Sequence, residues 1–211
     1  MRKAMVWIVM GLPTAGAADG VVIAALGDSL TQGYGLVQEQ GFVPRLQDWL
    51  TAEGVNAMLI NAGVSGDTTA GGLSRVAWTL TPEVDAIIVA LGGNDLLRGI
   101  DPAVSRANIA GILKAASDAQ VEVLLVGMQA PGNYGPDYKQ SFDAIFPELS
   151  TEYDALYAEN FFEGLSVEGG DPASVRAYMQ ADGIHPNAEG VVRIVDALGP
   201  KVADLAARAS E

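Results

Sequence analysis

Four short apolar runs divide this chain: VVIAAL at 21–26, NAMLI at 56–60, DAIIVAL at 85–91 and VEVLLVG at 121–127. Each is continuous rather than alternating. A strand with one face in water alternates apolar and polar residues, so continuity marks strands covered on both faces. A weaker fifth candidate, ALYAENFF, lies at 155–162. Between the runs, apolar residues recur at helical spacing over about 42–53, 68–80, 102–118 and 139–152, with a last stretch at 187–208. In the first of these, Phe42, Leu46, Trp49 and Leu50 share one helical face. Asp101-Pro102 opens the third with a capping residue and a proline at the first helical position. Strands that alternate with helices give an α/β fold, a three-layer α/β/α sandwich around a parallel sheet. Five strands and right-handed crossovers make the flavodoxin-like order 2-1-3-4-5 the expected one. Ligands then bind at the carboxyl ends of the strands, beside the switch point between strands 1 and 3. Chemistry is expected after strands 1, 2 and 3.

Charge and composition remove several classes of function. With 12 Lys and Arg against 26 Asp and Glu, the net charge is −14. Nucleic acid is not an expected partner, because counterion-driven binding needs clustered basic residues. The chain has no cysteine and a single histidine, His185. Disulfides, thiolate metal sites, cysteine nucleophiles and sites built on two histidines are excluded.

The first residues obey different rules. Arg2 and Lys3 precede the apolar stretch AMVWIVMGL, and Ala15-Gly16-Ala17 follows in the A-x-A pattern. That is the anatomy of a secretory signal peptide, the alternatives being an uncleaved anchor or a frayed strand. The apolar run meets Pro13 and is too short to span a bilayer as a helix. Residues 1–17 are therefore expected to be removed, leaving residues 18–211 as a single domain, periplasmic or secreted, with no stable membrane anchor.

Three loops occupy the expected site: GDSLTQGYG after strand 1, NAGVSGDTT (61–69) after strand 2 and GGNDLLRG (92–99) after strand 3. Each alone fits ordinary turn and capping chemistry, with Asp67 or Thr68 available to cap the next helix. A fourth segment, DGIHPNAEG at 182–190, opens the last helix and holds the lone histidine three residues after Asp182. Serine, histidine and carboxylate are the parts of an activated hydroxyl nucleophile. A serine hydroxyl attacks poorly until a neighbouring imidazole takes its proton, and a carboxylate on the other ring nitrogen keeps that imidazole in the right tautomer. Ser29 stands in no G-x-S-x-G elbow, which disfavours an ordinary α/β-hydrolase.

In their order along the chain, Gly27-Asp28-Ser29-Leu30, Gly66-Asp67, Gly92-Gly93-Asn94-Asp95 and Asp182-Gly183-Ile184-His185 resemble the conserved blocks of the SGNH, or GDSL, hydrolases. The resemblance implies an SGNH hydrolase fold and an esterase. Its substrates would be small-molecule acyl esters, thioesters or lysophospholipids. It implies Ser29 as nucleophile, His185 as general base and then acid, and Asp182 as the carboxylate that orients it. The backbone N–H groups of Ser29 and Gly66, with the Asn94 side-chain amide, would form the oxyanion hole. No metal, cofactor or obligate protein partner is implied. Asp28, Asp67 and Asp95 read as structural, holding loops and caps. Tyr34, Leu96, Leu97, Ile100, Tyr134 and Phe146 either line an acyl groove or pack beneath the loops. Two rival readings remain: a carbohydrate acetylesterase of the same fold, and a non-catalytic exported binding protein.

Overall fold

The computed structural model describes residues 20–165 and 175–211; the expected leader at 1–17 and its cleavage after Ala17 lie outside the described residues. Five strands form one sheet: β1 (Val21–Gly27), β2 (Ala57–Gly63), β3 (Ala86–Ala90), β4 (Glu122–Val126) and β5 (Leu156–Ala158). Their order is β2-β1-β3-β4-β5 and every pairing is parallel. This is the expected doubly wound sheet, with β1 and β3 at its switch point. The helices are α1 (Ser29–Gln32), α2 (Phe42–Ala52), α3 (Thr69–Thr79), α4 (Gly93–Arg98), α5 (Pro102–Asp118), α6 (Pro136–Asp143), α7 (Ile145–Glu152) and α8 (Ala188–Ala209). Helices α2 and α8 pack together, as do α3 and α5. At the α2–α8 crossing a side chain at Gly199 would put its Cβ 2.6 Å from the Trp49 ring, so only glycine permits the approach.

The central strands behave as their composition requires. Ile23, Ala24, Leu26, Ile87, Val89 and Leu124 are fully buried, and each large aliphatic side chain removed from water contributes about 1.5–3 kcal/mol. Three elements differ from the sequence expectation.

Strand β2, the edge strand of the expected order, is not covered on both faces, and Met58 and Ile60 stand exposed. Part of its free rim is covered by one side chain. Gln47 accepts from the Leu59 N–H at 2.8 Å and donates to the Ala57 carbonyl at 3.0 Å. That occupies part of the ladder on which another strand would otherwise pair.

The helix expected at 139–152 is two, α6 and α7, joined at Ala144. Pro147 explains the break. In a continuous helix its missing N–H and its ring would fall on the Asp143 carbonyl, whereas in the first turn of α7 proline is tolerated. Strand β5 is only three residues long, because the Asn160 side chain accepts from the Phe162 N–H and turns the chain away.

Candidate active site

The site is built on the loop after β1. Gly27 ends that strand, and a Cβ there would lie 1.9 Å from Thr31 Oγ1, so the tight exit requires glycine. Asp28 follows, 2% exposed, and its carboxylate accepts from the Leu30 N–H at 3.0 Å to cap α1. Ser29 is then the first helical residue and borders the cavity at the carboxyl end of the sheet.

A loop 156 residues further on meets it: His185 Nε2 lies 2.8 Å from Ser29 Oγ. The other ring nitrogen, Nδ1, lies 2.7 Å from Asp182 Oδ2. Asp182 Oδ1 also accepts the backbone N–H groups of Ile184 and His185, at 2.9 and 3.0 Å. The His185 side-chain hydrogen bond, followed by those two N–H bonds, pulls the Asp182 carboxyl down to about 2. Asp182 is thus an anion across the physiological range and only accepts. Nδ1 must carry the proton, which leaves the Nε2 lone pair facing the serine hydroxyl.

The histidine loop is fixed from behind. Gln180 donates from its backbone to the His185 carbonyl at 2.7 Å, and from its side chain to Tyr34 O at 2.8 Å and Pro186 O at 2.9 Å. The Tyr34 ring lies over the imidazole with centroids 4.6 Å apart.

Gly66 and Asn94 border the same cavity as Ser29 and His185. Gly66 has φ +86°, a left-handed conformation that favours glycine, and its carbonyl accepts from Arg98 Nη2 at 2.8 Å. Asn94 sits in the first turn of α4 and donates from Nδ2 to Asp28 Oδ2 at 3.2 Å.

The neighbouring carboxylates hold the frame. Asp95 is fully buried and accepts from Thr69 N, Thr69 Oγ1 and Ser105 Oγ at 2.9, 2.6 and 2.9 Å, tying α3, α4 and α5 together. Asp67 pairs with Arg75 Nε at 2.6 Å, while Thr68 caps α3. Sequence reasoning missed Arg75. Its guanidinium also donates to Ala62 O at 2.6 Å and Gly27 O at 2.8 Å, so one side chain joins the ends of β1 and β2 to Asp67. The available signal was spacing, since Asp67 and Arg75 stand about two helical turns apart.

The cavity has a volume of about 590 Å³, inside the roughly 300–1,000 Å³ of small-molecule sites. Of the residues put forward for an acyl groove, Tyr34, Leu96, Leu97 and Tyr134 line it. Phe146 instead lies in the core, 1% exposed against Phe142. Ile100 is not in the wall, and its carbonyl accepts from Tyr138 Oη at 2.9 Å. Leu30, Met128, Pro131, Phe162 and Ile184 add to the apolar lining; all but Leu30 lie in loops, where no periodicity announces a shared surface. Among the described residues no group of three or more His, Asp or Glu side chains is placed to hold a metal ion.

Known proteins share this arrangement of fold and sequence. The model of the GDSL-like lipase/acylhydrolase family matches residues 25–192. The esterase TesA of Pseudomonas aeruginosa is 38% identical over 189 residues, which cover 89% of this chain and 90% of the relative. Thioesterase 1/protease 1/lysophospholipase L1 of Escherichia coli K12 is 35% identical over 193 residues, covering 90% and 86%. Among solved structures, the psychrotrophic esterase EstA from Pseudoalteromonas sp., inhibited by monoethylphosphonate, matches with a TM-score of 0.78 at 33% identity, covering 87% of this chain and 97% of that one. The chain belongs to the GDSL-like lipase/acylhydrolase family, the SGNH hydrolases, and is an ester-bond hydrolase.

Proposed function

We propose that this protein is a serine esterase that hydrolyses carboxylic esters, and with them thioesters and lysophospholipids, through an acyl-Ser29 intermediate. The observation that carries the reading is the unbroken contact from Asp182 to His185 to Ser29, at 2.7 and 2.8 Å. His185 Nε2 takes the hydroxyl proton as Ser29 Oγ attacks the acyl carbonyl, and Asp182 stabilises the imidazolium that results. Negative charge gathers on the carbonyl oxygen, where the Ser29 and Gly66 N–H groups and the Asn94 amide donate to it. The imidazolium then gives its proton to the departing alkoxide or thiolate. Water repeats the sequence on acyl-Ser29, with His185 again the base, and the free acid leaves.

The apolar walls support an acyl chain rather than a sugar as the group held beside Ser29. A panel of p-nitrophenyl esters of increasing chain length, acyl-CoAs, lysophospholipids and acetylated sugars tests this directly. Turnover is expected on esters beyond acetate, on thioesters and on lysolipids. Activity confined to acetyl groups on sugars would favour the carbohydrate acetylesterase.

Export is part of the proposal. The basic, apolar and small-residue pattern of residues 1–17 supports cleavage after Ala17 and a mature single domain of residues 18–211 in the periplasm or medium. Among the described residues no helix is long and apolar enough to cross a membrane. The intact mass of protein recovered from the periplasm should correspond to a chain beginning at Ala18. A full-length product held in the membrane fraction would refute it.

A further inference from the structure

Asp28 has two carboxylate oxygens, and they have different partners. Oδ1 accepts the Leu30 N–H at 3.0 Å, whereas Oδ2 accepts from Asn94 Nδ2 at 3.2 Å. Capping needs only one acceptor, and Ser, Thr or Asn would supply it. An ionisable carboxyl that is 2% exposed is a costly cap, and burial pushes its pKa above the usual carboxylate range. The second oxygen therefore needs its own account.

A carboxylate only accepts hydrogen bonds, so it dictates which end of the Asn94 amide faces it: the nitrogen, never the oxygen. The two N–H bonds of a primary amide diverge within one plane. With one held by Asp28, the direction of the other is fixed, and Asn94 borders the cavity beside Ser29. A flipped amide would turn its carbonyl oxygen on the carboxylate and on the developing oxyanion alike. Glycine at position 93 leaves this carboxylate undisturbed, since a Cβ there would stand 3.3 Å from Asp28 Oδ2.

We propose that Asp28 is a positioning residue for the oxyanion hole: its hydrogen bond fixes the Asn94 amide in the orientation that donates to the tetrahedral intermediate. The inference rests on the role given to Asn94 above. It assigns Asp28 to transition-state stabilisation in addition to its cap.

A double-mutant cycle on a short p-nitrophenyl ester tests it, with thermal unfolding to verify that each variant is folded. Asn94→Ala should lower kcat about a hundred- to a thousand-fold with little change in KM. Asp28→Asn retains one acceptor for the cap but sets an NH2 group against Asn94. It should lower kcat about ten- to a hundred-fold, with KM within about threefold of wild type. In the Asn94→Ala background the same change should cost less than about twofold, because its target is gone. Asp28→Ser, whose single and shorter-reaching oxygen serves the cap, lacks the second oxygen that holds Asn94; it should repeat the loss and carries the cycle if Asp28→Asn does not fold. Wild-type kcat in Asp28→Asn overturns the proposal. So does a double variant whose loss is the product of the two single losses, and in that case Asn94 keeps its role. Wild-type kcat in Asn94→Ala removes Asn94 from the oxyanion hole, and the proposal falls with it.

Discussion

Ser29→Ala is expected to lower kcat on the order of a million-fold, because a nucleophile that works as part of a unit leaves little catalysis when removed. The protein should remain folded. The hydroxyl contributes one hydrogen bond, to His185 Nε2, and such a bond contributes only about 1 kcal/mol net. The Asp182–His185 pair and its backbone bonds do not involve the serine. Binding of an acyl chain should also persist, since Leu96, Leu97 and Tyr134 form the wall without its help. A fluorophosphonate should label the native enzyme at Ser29 and leave the variant unlabelled. Two readouts decide the matter: peptide mapping of the probe and steady-state turnover on a p-nitrophenyl ester. Labelling at another serine, or a variant with more than a small fraction of native turnover, would place the nucleophile elsewhere.

How much of this could be read from the chain depended on whether a signal was local. Strands β1, β3 and β4 announce themselves because burial on both faces leaves no polar alternation. Strand β2 carries a similar apolar run, yet Met58 and Ile60 stand exposed. Nothing in NAMLI tells a reader that Gln47, ten residues before Ala57, will cover part of its rim. Helices α2, α3, α5 and α8 are long enough to show a period of 3.6 residues. Helices α1 and α4, of 4 and 6 residues, are too short to do so, yet they carry Ser29 and Asn94. The break at Ala144 was legible in principle through Pro147, which the apolar periodicity around it conceals.

The site shows the same division. Three motifs mark the loops at the strand ends and a fourth opens the last helix, and together they bring Ser29, Asn94 and His185 to one cavity. The restraints between loops are invisible, being contacts across 66 residues for Asp28 and Asn94, 48 for Arg75 and Gly27, and 146 for Gln180 and Tyr34. Arg75 reads as a solvated charge on an amphipathic helix. Only the fold brings three acceptors within its reach. Ile100 and Phe146 fail as groove residues for the converse reason, since an apolar residue in a loop-rich region has the core as an equal destination.

His185→Ala should cost turnover on the same scale as Ser29→Ala, since base and nucleophile act together, and its pH behaviour separates a base from a structural residue. In the native enzyme kcat/KM should fall wherever His185 is protonated, because protonated Nε2 no longer accepts from Ser29. Asp182 cannot produce that limb. Its hydrogen bonds to His185, Ile184 and the His185 backbone hold it down to about 2, so it stays ionised across mildly acid pH. The sign of its contribution to folding agrees: a carboxyl lowered in the folded state stabilises above its ordinary unfolded pKa, and that stabilisation is lost as the pH falls toward about 2. Asp28, raised by burial, is the competing carboxyl within the site. The residual activity of His185→Ala distinguishes the two. If the imidazole carries the limb, the variant loses it and its low rate becomes flat across mildly acid pH. If Asp28 carries it, the limb survives the substitution, and the assignment of His185 as the titrating base is wrong.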